Sequence, residues 1–196
     1  PEKRQRELQH NMLVSASRLT TLINDLMDST KMEGGISLEL QELDTHKLIK
    51  QVANELQDNF KKKNLRLSIT SDGKSGLIEA DPKFLHEALT NIVDNAEKYT
   101  LEGGILINTK KTNADTLEIS ITDTGIGLTE DDHKKLYIKF SRGIRSQAIH
   151  TEGSGLGVYI IKRIIEAHNG KLEYQSEGEG KGTTVTITLP IKQPKE

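Results

Sequence analysis

Hydrophobic positions divide the chain into a uniform helical segment and a longer mixed segment. From Glu2 to about Met32 there is no glycine and no proline, and apolar or small residues recur at alternating steps of four and three. This heptad spacing predicts a long coiled-coil helix that needs a partner helix to cover its apolar stripe. We interpret the segment as a dimerising helix, with packing onto its own domain as the alternative. The seam positions are Leu8, Met12, Ser15, Leu19, Leu22 and Leu26.

Two kinds of periodicity alternate along the remainder. A 3.6-residue spacing of apolar positions predicts three helices, two of which follow an aspartate suited to capping. They are Leu48–Phe60 after Asp44, Pro82–Lys98 after Asp81, and Leu156–His168, which ends at Asn169 and Gly170. Alternation of apolar and polar residues predicts seven strands. These are Ile36–Leu40, Leu65–Ile69, Leu77–Ile78, Ile105–Lys110, Leu117–Ile121, Leu172–Ser176 and Thr183–Leu189.

The order of these elements favours one fold class. Adjacent strands without an intervening helix predict hairpins, whereas a doubly wound parallel sheet alternates strands and helices strictly. We therefore expect an α+β two-layer sandwich, with a mixed, mostly antiparallel sheet covered on one face by three helices. The Gly34-Gly35 pair separates residues 1–35, the coiled-coil helix, from a domain at residues 36–196.

Composition excludes several classes of protein. The 196 residues carry 27 basic and 29 acidic side chains, so no charge excess favours nucleic acid as a partner. The absence of cysteine excludes disulfides, cysteine-ligated zinc and thiol catalysis. No apolar run approaches the ~18 residues of a membrane-spanning helix. We expect a segment that is not membrane-inserted and is cytoplasmic, whether or not a longer parent is anchored.

A first polar cluster lies on the second predicted helix of the longer segment. Asn91, Asn95, Lys98 and Tyr99 are spaced to share one helix face. Amide oxygens beside a lysine suit a hard cation that bridges phosphate oxygens, because lysine neutralises phosphate charge. A solvated helix face is the alternative. Glu87, one turn before Asn91, is a candidate general base or a structural carboxylate.

Two further clusters are rich in glycine, and 12 of the 16 glycines lie at or beyond Gly103. A predicted strand delivers Asp123 into a turn with Gly125 and Gly127, where a carboxylate is placed to read an exocyclic amine of a flat ligand; a plain turn is the alternative. The run Gly153–Gly157 opens a helix, whose free N–H groups and dipole favour an anion. It matches neither a Walker A loop nor a Rossmann fingerprint.

The conjunction and order of these clusters resemble the ATP-binding catalytic domain of bacterial sensor histidine kinases, within the GHKL or Bergerat class that includes type II topoisomerases, Hsp90 and MutL. The resemblance covers about Ser37 to Ile191. The matching boxes are the N box at Asn91–Thr100, the G1 box at Asp123–Gly127, the F box at Leu136–Arg142, the G2 box at Gly153–Gly157 and the last glycine box at Gly180–Thr183.

The resemblance implies a role for each matching position. Asn95 would ligate Mg²⁺ with Asn91 close by, Lys98 would contact phosphate, and Asp123 would accept from the adenine amino group. A mobile lid would extend from about Ser141 to Glu152. The implied ATP contacts are Asn91, Asn95, Lys98, Tyr99, Asp123, Gly125, Gly127, Arg142, Ser154, Gly155, Leu156, Gly157 and Thr183, with a solvated side chain as the alternative for Arg142. The implied catalytic residues are Asn91, Asn95 and Lys98, and Glu87 is the separate candidate named above.

Some positions depart from the family pattern. Tyr137 and Val185 stand where phenylalanine is usual, which leaves packing rather than chemistry in question. None of the six histidines is followed by an acid and a nearby proline, as the phosphoacceptor would be. We therefore expect the accepting helix to be absent from this chain, so that residues 1–35 are the C-terminal helix of a dimerisation hairpin. Surface positions are expected for His46, His133, His150 and His168.

The resemblance predicts an enzyme, a protein histidine kinase that uses ATP and Mg²⁺ but does not autophosphorylate as this segment. Its implied partners are the receiver domain of a response regulator, a histidine-bearing dimerisation helix and, in the intact parent, a second copy. Two alternatives stay open. One is a GHKL-type protein-serine kinase or ATPase, and the other is a non-catalytic nucleotide-binding regulator that docks a partner.

Overall fold

The computed structural model describes residues 35–74, 76–141 and 154–194, together with Arg4, Met12 and Leu19. The helices in this part are α1 (Thr45–Lys62), α2 (Pro82–Tyr99), α3 (Glu130–Lys135) and α4 (Gly157–Ala167). The strands are β1 (Gln41–Asp44), β2 (Arg66–Ser71), β3 (Leu77–Ala80), β4 (Gly104–Lys111), β5 (Thr116–Asp123), β6 (Lys171–Gln175) and β7 (Thr184–Pro190).

Five strands form one mixed sheet in the order β2-β4-β5-β7-β6. Only β2 and β4 are parallel, and the other neighbours are antiparallel. Alternate residues of the central strands are buried, because successive side chains of a strand point to opposite faces. The buried set includes Ile105, Ile107, Leu117, Ile119, Ile121, Val185, Ile187 and Leu189. These residues share one core with α1, α2 and α4, which confirms the predicted two-layer α+β sandwich.

Two details of the predicted architecture are wrong. The predicted strand at Ile36–Leu40 has no ladder, and β1 begins at Gln41 instead. Its register is set at its end, where the N–H of Thr45 donates to the carbonyl of Gly76 and brings β1 alongside β3. These two strands form their own small sheet rather than joining the large one. The helix α3 was not predicted, although Thr129 and Asp132 form a capping box at its start.

The helix boundaries follow from the caps that the sequence predicts. Asp44 accepts from the N–H groups of His46 and Lys47, and Asp81 caps α2 in the same way. At the C-terminal end of α4, Asn169 adopts a left-handed φ of 54°, and the N–H of Gly170 donates to the carbonyl of Ile165. These capped ends position α2 and α4 side by side on the sheet.

His168, expected at the surface, is fully buried, and that expectation is wrong. Its Nε2 accepts a hydrogen bond from the backbone N–H of Asp81 at 3.0 Å, and its Nδ1 lies 2.8 Å from the carbonyl oxygen of Ile164. The ring is therefore neutral and carries its proton on Nδ1. The cause is topological, since the end of α4 lies against the start of α2, where a buried N–H needs an acceptor.

The N-terminal segment lies mostly outside the described residues. Arg4, Met12 and Leu19 are helical, and the side chains of Met12 and Leu19 are 68% and 59% exposed. The boundary at residue 35 and the heptad helix stay predictions. Across the described residues, none of the helices combines the length and the hydropathy that a membrane span requires.

Replacement of His168 by leucine is expected to destabilise the domain by about 1–3 kcal/mol, because the buried N–H of Asp81 loses its acceptor. Urea denaturation followed by circular dichroism measures the change. The matched control is His133→Leu, which alters a partly exposed histidine and is expected to cost less than about 0.5 kcal/mol. Equal losses for the two variants would contradict the role given to His168.

Candidate functional site

A cavity of about 330 Å³ lies between α2, the turn after β5 and the first turn of α4. It brings together ten residues that the sequence predicts for the site. They are Asn91, Asn95, Lys98, Tyr99, Asp123, Gly127, Ser154, Gly155, Gly157 and Thr183. Four clusters that are far apart in the sequence therefore meet at one concave surface.

Three other candidates do not line this cavity. Gly125 lies in the turn after β5, where its N–H donates to Asp123. Leu156 is fully buried in the core, and its N–H donates to the hydroxyl of Ser154. Glu87 contributes its backbone carbonyl, which accepts from the side chain of Asn91 at 3.0 Å. Arg142 lies outside the described residues, as does most of the predicted lid.

One end of the cavity is formed by amides that face the start of a helix. Because Nδ2 of Asn91 donates to the carbonyl of Glu87, its Oδ1 points away from that carbonyl. A Cβ placed on Gly157 would lie 3.9 Å from this Oδ1 and 4.0 Å from Nδ2 of Asn95. Gly157 is the first residue of α4, so N–H groups that have no partner within the helix and the positive end of the helix dipole face the two amides. This end suits an anion together with a hard cation.

Lys98 is paired with an acidic residue, Asp94, that the sequence analysis did not single out. Its ammonium forms an ion pair with the carboxylate of Asp94, one turn earlier on α2. Both side chains line the cavity and are about one-third exposed or less. The i, i+4 spacing of an acid and a lysine was the available signal. An anion at Lys98 therefore meets an ammonium that a carboxylate already orients.

Asp123 dominates the other end of the cavity. The residue is 8% exposed, and its Oδ1 accepts from the backbone N–H groups of Gly125 at 2.8 Å and Thr183 at 3.2 Å. Burial raises the pKa of Asp123 above its usual value, although the two hydrogen bonds oppose that shift. Because both backbone donors bind the same oxygen, Oδ2 is left to accept from a ligand in the cavity.

The turn after β5 is clasped by backbone on two sides. The N–H of Ile126 donates to the carbonyl of Tyr99 at the end of α2, and the N–H of Gly182 donates to the carbonyl of Gly125. A Cβ on Gly127 would lie 2.0 Å from the carbonyl oxygen of Gly178. Glycine is required here because the backbone segments at Gly127 and Gly178 approach too closely for any side chain.

The helix before the predicted F box supplies further cavity residues. Asp132 and Lys135 of α3, which the sequence analysis missed, line the cavity together with Leu136, the first residue of the F box. The capping box at Thr129 was the signal for this helix. Tyr137 packs edge-on against Tyr174, with 6.2 Å between ring centroids.

Tyr174 also lines the cavity. Its hydroxyl is buried, and no partner for it is found among the described residues. Burial and the neighbouring Tyr137 raise the pKa of Tyr174. Val185, opposite Tyr174 across the β6–β7 pair, is buried in the core. The two departures from the usual phenylalanine therefore leave this side of the cavity packed.

Comparison with known proteins adds an independent finding. A family model described as histidine kinase-, DNA gyrase B-, and HSP90-like ATPase matches residues 80–193. The sensor-like histidine kinase SenX3 of Mycolicibacterium smegmatis is 28% identical over 174 residues, which cover 88% of this chain and 45% of SenX3. The chain thus spans less than half the length of this curated relative.

Solved structures share the fold. Full-length ShkA in complex with AMPPNP matches with a TM-score of 0.82 and 25% identity, covering 98% of this chain and 40% of that chain. The histidine kinase ThkA in complex with the response regulator protein TrrA matches with a TM-score of 0.72 and 23% identity, covering 91% of this chain and 49% of that chain.

Two glycines of the last glycine box allow the cost of a left-handed backbone to be measured apart from the cost of a steric clash. Gly180 and Gly182 have φ values of 72° and 70°, but only at Gly182 would a Cβ meet other atoms, 2.0 Å from the carbonyl oxygen of Asp123. We expect Gly180→Ala to cost about 1 kcal/mol for the left-handed backbone. Gly182→Ala should cost about 1–3 kcal/mol more, because it pushes against Asp123. Chemical denaturation of both variants measures the difference, and equal costs would contradict the clasped turn.

Proposed function

Because the chain belongs to the family of histidine kinase-, DNA gyrase B- and HSP90-like ATPases, we propose that it is the ATP-binding catalytic domain of a sensor histidine kinase. It presents Mg-ATP for transfer of the γ-phosphoryl group to a histidine on a helix that this chain lacks. The phosphoryl group then passes to an aspartate of a response regulator. The observation that carries the proposal is a single cavity with a buried carboxylate at one end and a helix N-terminus at the other.

At the carboxylate end, Asp123 binds the adenine base. Its Oδ1 is occupied by two backbone N–H groups, so the 6-amino group of adenine donates to Oδ2. Gly127 keeps the backbone close to the plane of the base, and Thr183 and Tyr99 flank it. A guanine base presents a carbonyl oxygen at the same place, and two acceptors that face each other repel. This arrangement selects adenine over guanine.

At the opposite end, α2 and α4 hold the phosphates. The N–H groups at the start of α4 bind phosphate oxygens, and Gly155 and Ser154 bring the preceding loop close. The side-chain amides of Asn91 and Asn95 face this helix start, and carboxamide oxygens fit Mg²⁺, a hard cation that keeps oxygen ligands. Bound Mg²⁺ would supply charge neutralisation between the phosphates.

The chain's own residues then act mainly by position. The Lys98 ammonium, which Asp94 orients, balances phosphate charge at the C-terminal end of α2. In the transfer itself, the bond between the γ-phosphorus and its bridging oxygen breaks, a bond from phosphorus to the acceptor nitrogen forms, and ADP leaves. Positioning and charge neutralisation are the main contributions that a protein makes to such a reaction. Glu87, one helical turn before Asn91, is kept as a proposed base for the proton of the acceptor imidazole.

The remainder of the proposal concerns parts of a longer protein. SenX3 is itself named a sensor-like histidine kinase, and ThkA was solved with a response regulator; both support a receiver domain as partner. The heptad positions Met12 and Leu19 are exposed, which fits a helix that pairs with a second copy. Residues 1–35 are thus proposed as half of a dimerisation hairpin in a cytoplasmic part of the parent.

Asp123→Asn is expected to weaken ATP binding at least about ten-fold, because the amide nitrogen places a donor against the donor of adenine. The folding stability of Asp123→Asn is not expected to fall together with its ATP affinity. A carboxyl with a raised pKa stabilises the fold only in acid, and that contribution is lost as the pH rises through the raised pKa. At neutral pH the variant should therefore resist urea as well as the parent chain or better, and this margin should shrink in acid.

Isothermal titration with Mg-ATP and urea denaturation test the two parts. Asp58→Asn, the same chemical change on an exposed carboxylate of α1, is the matched control and should change neither quantity. Unaltered ATP affinity in Asp123→Asn would contradict the base contact. A large loss of stability at neutral pH would show that the carboxylate is structural.

Phosphoryl transfer has its own test. Mixed with γ-labelled ATP, Mg²⁺ and a separately supplied histidine-bearing hairpin of the parent, the chain should label the hairpin with a phosphate that acid releases and base does not. Asn95→Ala should abolish the label. An acid-stable label would identify a protein-serine kinase, and ATP binding without any label would identify a nucleotide-binding regulator; both would overturn the proposed activity.

A further inference from the structure

We propose that Ser176 is a positioning residue for base recognition, acting through Asp123. The inference rests on the proposed function, since it concerns the same cavity. Ser176 directly follows β6 and lies beyond the last ladder pair between β6 and β7, Gln175 with Thr184. It therefore stands beside the two backbone segments that hold the Asp123 carboxylate.

A single hydroxyl joins these segments. Its Oγ accepts from the N–H of Leu128 at 3.0 Å and from the N–H of Gly178 at 3.3 Å. It lies 2.7 Å from the carbonyl oxygen of Gly182 and 3.2 Å from that of Gly178, and its one proton goes to the nearer acceptor. A hydroxyl has one donor and two acceptor sites. The hydrogen-bonding capacity of Ser176 is thus fully used within the turn.

The hydrogen-bond partners of Ser176 are close in the sequence to the two residues that donate to Asp123. Leu128 closes the turn that starts at Gly125, and the carbonyl of Gly182 belongs to the peptide whose N–H is that of Thr183. Gly125 and Thr183 are the two donors to Oδ1 of Asp123. Ser176 therefore fixes the spacing of both donors, and this spacing determines which carboxylate oxygen is left for the base.

The turn after β5 and the loop after β6 lie so close together that loss of the Ser176 hydroxyl is expected to disturb both. A Cβ on Gly127 would lie 2.9 Å from Oγ of Ser176, and the N–H of Gly180 donates to the carbonyl of Ile126 at 2.7 Å. Without the hydroxyl, the N–H of Leu128 and the carbonyl of Gly182 lose their shared partner. The turn then relaxes, and Asp123 is no longer held with one oxygen directed to the ligand.

Ser176→Ala tests the inference by nucleotide affinity in two backgrounds. We expect ATP and ADP to lose the same factor of about ten, since the base end that they share is affected. In the Asp123→Asn background, where the base contact is already absent, the further loss should be under about two-fold, because coupled residues are not additive. Isothermal titration, with competition for the weaker variants, measures all four proteins.

Thr45→Val is the matched control. It removes a hydroxyl that donates to the carbonyl of Gly76 at 2.9 Å and is not part of the cavity lining, so it should lower stability without changing nucleotide affinity. If Ser176→Ala fails to fold, Ser176→Cys replaces it, because sulfur bonds more weakly and should give an intermediate loss.

Additive losses in the two backgrounds, or unaltered affinity, would overturn the role of Ser176 while ATP binding by the parent chain stands. Failure of the parent chain to bind ATP would overturn the proposed function together with this inference.

Discussion

One buried carboxylate organises the cavity end of this domain. Asp123 is the last residue of β5, and its Oδ1 accepts from two backbone N–H groups of segments that are about sixty residues apart. An ionised carboxyl in a buried place is costly unless it is hydrogen-bonded. Backbone donors on one oxygen offset part of that cost. The other carboxylate oxygen is left for a ligand, which gives this end of the cavity a hydrogen-bond acceptor.

The rest of the structure serves to keep this arrangement in place. The carbonyl of Tyr99 holds the turn from the side of α2, so the two ends of the cavity, proposed for the base and for the phosphates, are anchored to the same helix. Lys63 binds the carbonyl and the carboxylate of Glu97 near the C-terminus of that helix, and His168 binds the N–H of Asp81 at its N-terminus. A helix secured at both ends gives the amides of Asn91 and Asn95 a defined position relative to α4.

Much of this could be predicted from the sequence because local signals agree with the fold. Local properties of the sequence include the caps at Asp44 and Asp81 and the alternation in β4, β5 and β7. The spacing of residues in the glycine boxes is also local, and it indicated the candidate site residues. What the sequence did not reveal depends on contacts between distant segments. The burial of His168 follows from α4 meeting α2, the register of β1 follows from Gly76, and the hydroxyl of Ser176 gains its partners only when two glycine loops lie together.

The proposed recognition of adenine depends most directly on Oδ2 of Asp123, the carboxylate oxygen left for a ligand. Titration with ATP and with purine riboside triphosphate, which lacks the 6-amino group, measures that contact without altering the protein. We expect ATP to bind at least about ten-fold more tightly, because only ATP donates to the buried carboxylate. Equal affinities for the two nucleotides would contradict the central claim that Asp123 reads the base.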